Sequence, residues 1–175
     1  MNIKLNNQLV TEPSLIKQHI KSHYHNWTAH RPINQFLFDN FWHQHYQPLS
    51  HINSAWYTSL TVPITEEEVL QTISKLPNGK ACGPTGISYE MIKHLGSHGI
   101  TTLTALFNRC LSENRIPKLW KHGRIFPIPK NNTFEGNLNL TRPISLIEHI
   151  RKLYTKILTN KTEPSFFKTY YTISL

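Results

Sequence analysis

Residues 64–88 read ITEEEVLQTISKLPNGKACGPTGIS, and the rest of the chain is best understood outward from this stretch. Thr65 followed by Glu68 is a capping box: the threonine hydroxyl accepts from the Glu68 backbone N–H, and the glutamate carboxylate reaches back to the Thr65 N–H. Glu66, Glu67 and Glu68 also place negative charge at the positive end of the helix macrodipole. Val69, Leu70, Ile73 and Leu76 then recur at helical spacing, and Pro77-Asn78-Gly79 stops the helix. Lys80 to Ile87 is a Gly-rich turn. Ser88 suits the N-cap of a second helix carrying Met91, Ile92 and Leu95, with Gly96 at its end. The turn is not a P-loop, because no Gly-Lys-Ser/Thr follows at the required spacing.

Downstream, Leu103, Leu106, Phe107, Cys110 and Leu111 form the stripe of a third helix, which Asn114 to Pro117 ends. Arg124 to Lys130 alternates apolar residues with prolines at 127 and 129, so it reads as an edge or extended strand. A polar loop, Asn131 to Asn139, separates it from a second extended piece at Arg142 to Leu146, which predicts a β-hairpin. A last helix carries Ile147, Ile150, Leu153, Tyr154, Ile157 and Leu158 on one face. After Asn160 the apolar period fails, and no element is expected over residues 161–175.

Upstream, the first sixty residues are rich in aromatics and histidine, from Tyr24 and Trp27 to Trp56 and Tyr57. Helices are expected over Glu12 to His25, with Leu15, Ile16, His19 and Ile20 on one side, and over Ile33 to Gln47, with Phe36, Leu37, Phe41 and Tyr46. Pro32 and Pro48 bracket the second. His23/His25 and His43/His45 are spaced i, i+2, which puts each pair on opposite sides of a helix and argues against a metal site.

The composition is that of a folded protein, 38% hydrophobic and 17% charged over 175 residues. No apolar run approaches the roughly 20 residues that span a bilayer, and residues 1–10 carry no signal-like apolar region. The expectation is a soluble intracellular protein, nuclear or cytoplasmic, without membrane contact. Cys82 and Cys110 are the only cysteines, too few for a disulfide framework or a zinc site. Of the net charge of +9, residues 1–74 contribute −1 and residues 75–175 contribute +10. A basic half of that size suits a polyanionic partner, since each neutralised phosphate releases counterions.

The run from Ile64 to Leu158, 95 of the 175 residues, resembles the start of the reverse transcriptase domain of non-LTR (LINE-like) retrotransposons. Four pieces carry the likeness in order: the capped helix and turn at 64–88, similar to that family's GKAPGPDGI; LFNRCLSENRIPKLWKHGRI at 106–125; RIFPIPK at 124–130; and TRPISLIEHIRKLYTKIL at 141–158, similar to its YRPISLL segment and following helix. Three positions depart from the pattern: Cys82 for the proline, Thr85 for the aspartate of GPDG, and Thr141 for the tyrosine before RPIS. The resemblance implies the fingers of a right-hand RNA-directed DNA polymerase, whose hairpin folds over the incoming nucleotide. It places Lys130 and Arg142 at the triphosphate of a dNTP. An ammonium and a forked guanidinium suit such a dense anion. Lys80, Lys121 and Arg124 are weaker candidates for template RNA or DNA phosphates.

The expected architecture is mainly α with one short β-hairpin (α+β), an incomplete fingers portion of that polymerase fold. Residues 1–62 are expected to be a linker region upstream of the polymerase, 63–160 the fingers segment, and 161–175 a divergent, disordered tail. Polymerases of this family use magnesium held by palm aspartates. This sequence has one aspartate, Asp39, so catalytic residues, metal ligands and a cofactor are expected to be absent and the chain is expected not to polymerise by itself. The expected truncation before the palm would leave apolar helix faces exposed for association. A non-enzymatic basic nucleic-acid-binding module and a helical protein-interaction fragment remain alternative readings.

Overall fold

In the computed structural model, residues 3–5, 8–43, 45–46, 58–130 and 134–172 are described. Pro48, Trp56, Tyr57 and the start of the hairpin loop, all invoked above, lie outside them. The chain is mainly helical, with two two-stranded antiparallel sheets among the described residues. It divides into two compact units, one from Met1–Ile52 and Pro127–Ile144, the other from Asn53–Phe126 and Ser145–Leu175.

The second unit grows from the capping box. Thr65 accepts from the Glu68 N–H at 3.2 Å, and Glu68 Oε2 accepts from the Thr65 N–H at 2.8 Å. This starts α4 (Glu66–Ser74), after the short α3 (Thr58–Thr61). Ser88 caps α5 (Tyr89–Lys93) by accepting from the Met91 N–H, as expected. Gly96 does not end α5. It is the extended N-cap residue of α6 (Ser97–Ser112), while His94 closes α5. Asn114 then ends the α6 segment in the left-handed region at φ 49°, a conformation that asparagine tolerates better than most residues.

The core of this unit joins Val69 and Ile73 of α4, Ile92 of α5, Ile100, Leu103, Phe107 and Cys110 of α6, and Leu153 and Ile157 of α7 (His149–Thr172). Trp120, in a 3-10 turn at Lys118–Lys121, packs with Phe107 and Tyr154 at ring separations of 6.2 and 5.9 Å. Arg151 of α7 donates to the Trp120 carbonyl at 2.7 Å, fixing that turn. Three positions assigned to apolar faces by spacing, Leu70, Met91 and Leu95, are exposed. The helices here are short, and each covers only a narrow stripe.

The expected hairpin is present as β3 (Gly123–Pro129) and β4 (Thr141–Ile147). Ile147 belongs to β4 and not to the α7 face. α7 continues to Thr172, so the segment that lacked an apolar period is helical through that residue.

The first unit holds the expected α1 (Pro13–Trp27), with Pro13 in its first turn, and α2 (Gln35–His43). α2 is shorter than the pattern suggested. Asn34 Oδ1 accepts from the Leu37 N–H, setting the helix start just after it. A second sheet was not foreseen: β1 (Ile3–Leu5) pairs antiparallel with β2 (Gln8–Val10), Ile3 opposite Val10. This stretch is short and mixed in polarity, so alternation gave no signal. Its anchor is tertiary. The Lys4 N–H donates to the Gly136 carbonyl at 2.9 Å, and Lys4 pairs with Glu135 at 3.1 Å. Gly136, at φ 85°, lies so close to this strand that a Cβ would fall 2.6 Å from the Lys4 nitrogen. The Tyr24 hydroxyl of α1 meets Thr141 Oγ1 at 2.6 Å, so a phenol reaches the position where the polymerase pattern carries its own tyrosine.

Candidate nucleotide and nucleic-acid interface

The hairpin brings Lys130 and Arg142 together. Lys130 follows β3 directly, and its N–H donates to the Leu140 carbonyl at 2.8 Å. Arg142, on β4, donates from Nη1 to the Lys130 carbonyl at 3.3 Å, and Lys130 Nζ donates to the Asn139 carbonyl at 3.1 Å. Both side chains are exposed. Neither forms an ion pair among the described residues. With no carboxylate paired to either among the described residues, both cations remain open to an anion with several oxygens.

Lys80, Lys121 and Arg124 all lie in the second unit and all are exposed. Arg124 is partly committed, reaching the Pro84 carbonyl with Nη2 at 3.5 Å. Clefts in this unit, of about 430 and 550 Å³, are lined by other residues, including Glu68, Thr72 and Lys161 in one and Asn108, Arg109 and Ser112 in the other. The candidate cations line neither of these clefts and are exposed, which suits a polymeric or extended ligand. Among the described residues no three His, Cys, Asp or Glu side chains gather where they could hold a metal ion.

The Gly-rich turn is organised residue by residue. Gly83 to Gly86 form a β-turn closed by the Gly86 N–H donating to the Gly83 carbonyl at 3.2 Å. Proline second and glycine fourth, with Gly86 at φ 79°, suit such a turn. Thr85 donates its N–H to Glu148 Oε1 at 2.8 Å and its hydroxyl to Glu148 Oε2 at 2.5 Å. At the other end, the Gly79 N–H donates to Glu90 Oε1 at 2.6 Å, which holds the Glu90 carboxyl below its usual range. Two backbone donors of the turn therefore already serve carboxylates. A phosphate cradle would need them free and would be repelled by both anions, so the geometry of this turn is that of a joint and not of an anion nest.

Three residues important to the architecture escaped the sequence reading. Asn108 of α6 accepts from the Ile64 N–H at 2.7 Å and donates to the Ile64 carbonyl at 2.8 Å, strapping the approach to α4 onto α6. Lys161, only 8% exposed in its side chain, pairs with Glu68 at 3.0 Å and donates to the Val62 and Pro63 carbonyls. Burial raises the Glu68 carboxyl, but the Thr65 N–H and the Lys161 ammonium outweigh it, and the net shift is downward. His149 is fully buried and stacked on Tyr89, with ring centroids 3.8 Å apart. Neither of its ring nitrogens makes a well-formed hydrogen bond, although the Ala81 backbone faces the ring. Burial, aided by Lys152, holds His149 below the ordinary histidine range. No spacing rule finds such residues, because their partners lie tens of positions away.

Known proteins carry a similar stretch. A probable RNA-directed DNA polymerase from transposon BS of Drosophila melanogaster is 29% identical over 119 residues, 67% of this chain and 13% of that protein. The RNA-directed DNA polymerase from mobile element jockey of the same species is 30% identical over 112 residues, 63% of this chain and 12% of the relative. The curated relatives of this chain are non-LTR retrotransposon RNA-directed DNA polymerases. A probable polymerase from transposon X-element adds 30% identity over 108 residues, 61% of this chain and 12% of that relative. The chain thus matches about an eighth of the length of these reverse transcriptases. No protein-family model matches it. No described helix is long and apolar enough to cross a membrane.

Proposed function

We propose that this chain is a fingers segment of a retrotransposon reverse transcriptase. In this reading Lys130 and Arg142 receive the triphosphate of an incoming dNTP, and Lys80, Lys121 and Arg124 meet phosphates of an RNA or DNA template. The observation that carries it is the hairpin that sets an exposed guanidinium on the backbone carbonyl of an exposed lysine, in a chain whose relatives are RNA-directed DNA polymerases. Phosphoryl transfer asks its protein chiefly for positioning and charge stabilisation, and these two cations supply both. Magnesium and its carboxylates would come from a palm. This stretch offers one aspartate, Asp39, and so binds without polymerising.

The test is titration of the full chain with a fluorescent dNTP in magnesium buffer. Arg142→Ala and Lys130→Ala should each weaken binding by roughly tenfold or more, the scale of one hydrogen bond to a charged group. Unchanged affinity in both variants would refute the assignment. A second reading is supported by the +10 carried on residues 75–175: a basic module whose nucleic-acid affinity falls steeply with salt and survives loss of both residues. A protein-association role rests on α2, where Phe36, Leu37 and Phe41 are all more than half exposed.

A further inference from the structure

The base of the hairpin is held by three consecutive residues of the Gly-rich turn, each by a different device. Gly83 presses against the end of β4: a Cβ there would lie 2.7 Å from the Ile147 carbonyl carbon and the Glu148 nitrogen, so only glycine fits. The Pro84 carbonyl receives Arg124 from β3. Thr85 gives both of its donors to the two oxygens of Glu148, the residue between β4 and α7. Glu148 is 2% exposed and forms no ion pair among the described residues. Burying a carboxylate costs more than burying an apolar side chain of the same size unless its oxygens are satisfied with good geometry. Stability alone would favour an apolar residue here. What a two-pronged acceptor adds is orientation, since it fixes both the distance and the angle of the turn against the strand.

We propose that Thr85 and Glu148 form a clamp that positions the base of the β3–β4 hairpin, with Glu148 as its positioning residue. β4 ends at Ile147, next to Glu148, and also carries Arg142, so the clamp holds the end of the strand on which the nucleotide contact is carried. That functional consequence rests on the reading of Lys130 and Arg142 given above. The clamp itself does not.

The experiment compares the full chain with Glu148→Ala, Glu148→Gln and Thr85→Val, reading amide hydrogen exchange and dNTP affinity in each. Glu148→Ala should speed exchange at Thr85 and at the base of β3 and β4 by roughly tenfold or more, with α6 amides unchanged, as expected when bonds to a charged acceptor are lost. Glu148→Gln, which keeps an oxygen for the Thr85 N–H, should restore most of the protection and most of the nucleotide affinity. If Glu148→Ala loosens α6 as well, Thr85→Val decides: faster exchange confined to the hairpin base supports the clamp, and no change overturns it. Exchange at the hairpin base indifferent to both residues overturns the clamp whatever the nucleotide affinity. A wild-type chain that binds no nucleotide, yet loses hairpin protection in Glu148→Ala, keeps the clamp and refutes the nucleotide reading instead.

Discussion

Helices α6 and α2 look alike in sequence and differ completely in structure. Both carry apolar residues at helical spacing, and α2 is the more aromatic. α6 buries Ile100, Leu103, Phe107 and Cys110 against α4 and α7. α2 buries nothing: Phe36 is 71% exposed and Phe41 58%, while the rings of Phe38, Phe41 and Trp42 meet one another and the nearby rings of His45 and Tyr46. The difference teaches that apolar period announces a helix but not its cover. Cover is decided by other elements, and for α6 these are held in place by polar straps such as Asn108 to Ile64. α2 has no comparable strap among the described residues.

The sharpest way to break this comparison is truncation. Phe107→Ala should cost about 3–5 kcal/mol by removing a fully buried ring from a packed cluster, whereas Phe36→Ala should stay within about 0.5 kcal/mol. Urea unfolding of both variants measures it, and equal costs would mean that α2 is covered after all. Next in size, Asn108→Ala should destabilise by about 1–3 kcal/mol, since it leaves both Ile64 backbone groups without their partner. Thr65→Ala, which removes one half of the capping box, should cost about 1 kcal/mol in the same assay.

A smaller effect comes from pH. Burial, with a further push from Lys152, holds His149 below its ordinary value of 6.5 in the fold, against the opposing pull of Glu90 and Glu148. The unfolded chain therefore binds the proton first as pH falls. Stability should hold above 6.5 and decline below it, toward the lower folded value. Glu68 adds a loss of the same sign below 4.5. Unfolding midpoints should stay level from about pH 8 to about pH 6.5 and slope downward from there to about pH 5, and His149→Phe should flatten that slope. The smallest effect on stability belongs to Phe41→Ser, which should reduce self-association in sedimentation without moving the unfolding midpoint.

Local chemistry made much of the fold legible. The Thr65–Glu68 box, the Ser88 cap, the α6 stripe and the proline-bearing strand all depend on residues within a few positions of one another. Lys130 and Arg142 were legible as a pair through the reverse transcriptase resemblance, and the hairpin does bring them together. Other features could not be read because their causes are distant. β1 and β2 depend on Gly136 and Glu135. The role of Thr85 depends on Glu148, 63 residues away. Gly96 was misread because a glycine can end one helix or begin another, and only its extended ψ of 175° distinguishes the two.

The central claim, that the tip of the β3–β4 hairpin receives a nucleoside triphosphate, is tested most directly by amide NMR during titration with dTTP and magnesium. The account predicts that saturable shifts concentrate at Lys130, Leu140 and Arg142 and vanish in Arg142→Ala. Shifts that spread over Lys80, Lys121 and α6 and persist in that variant, or no shifts at millimolar nucleotide, would contradict it.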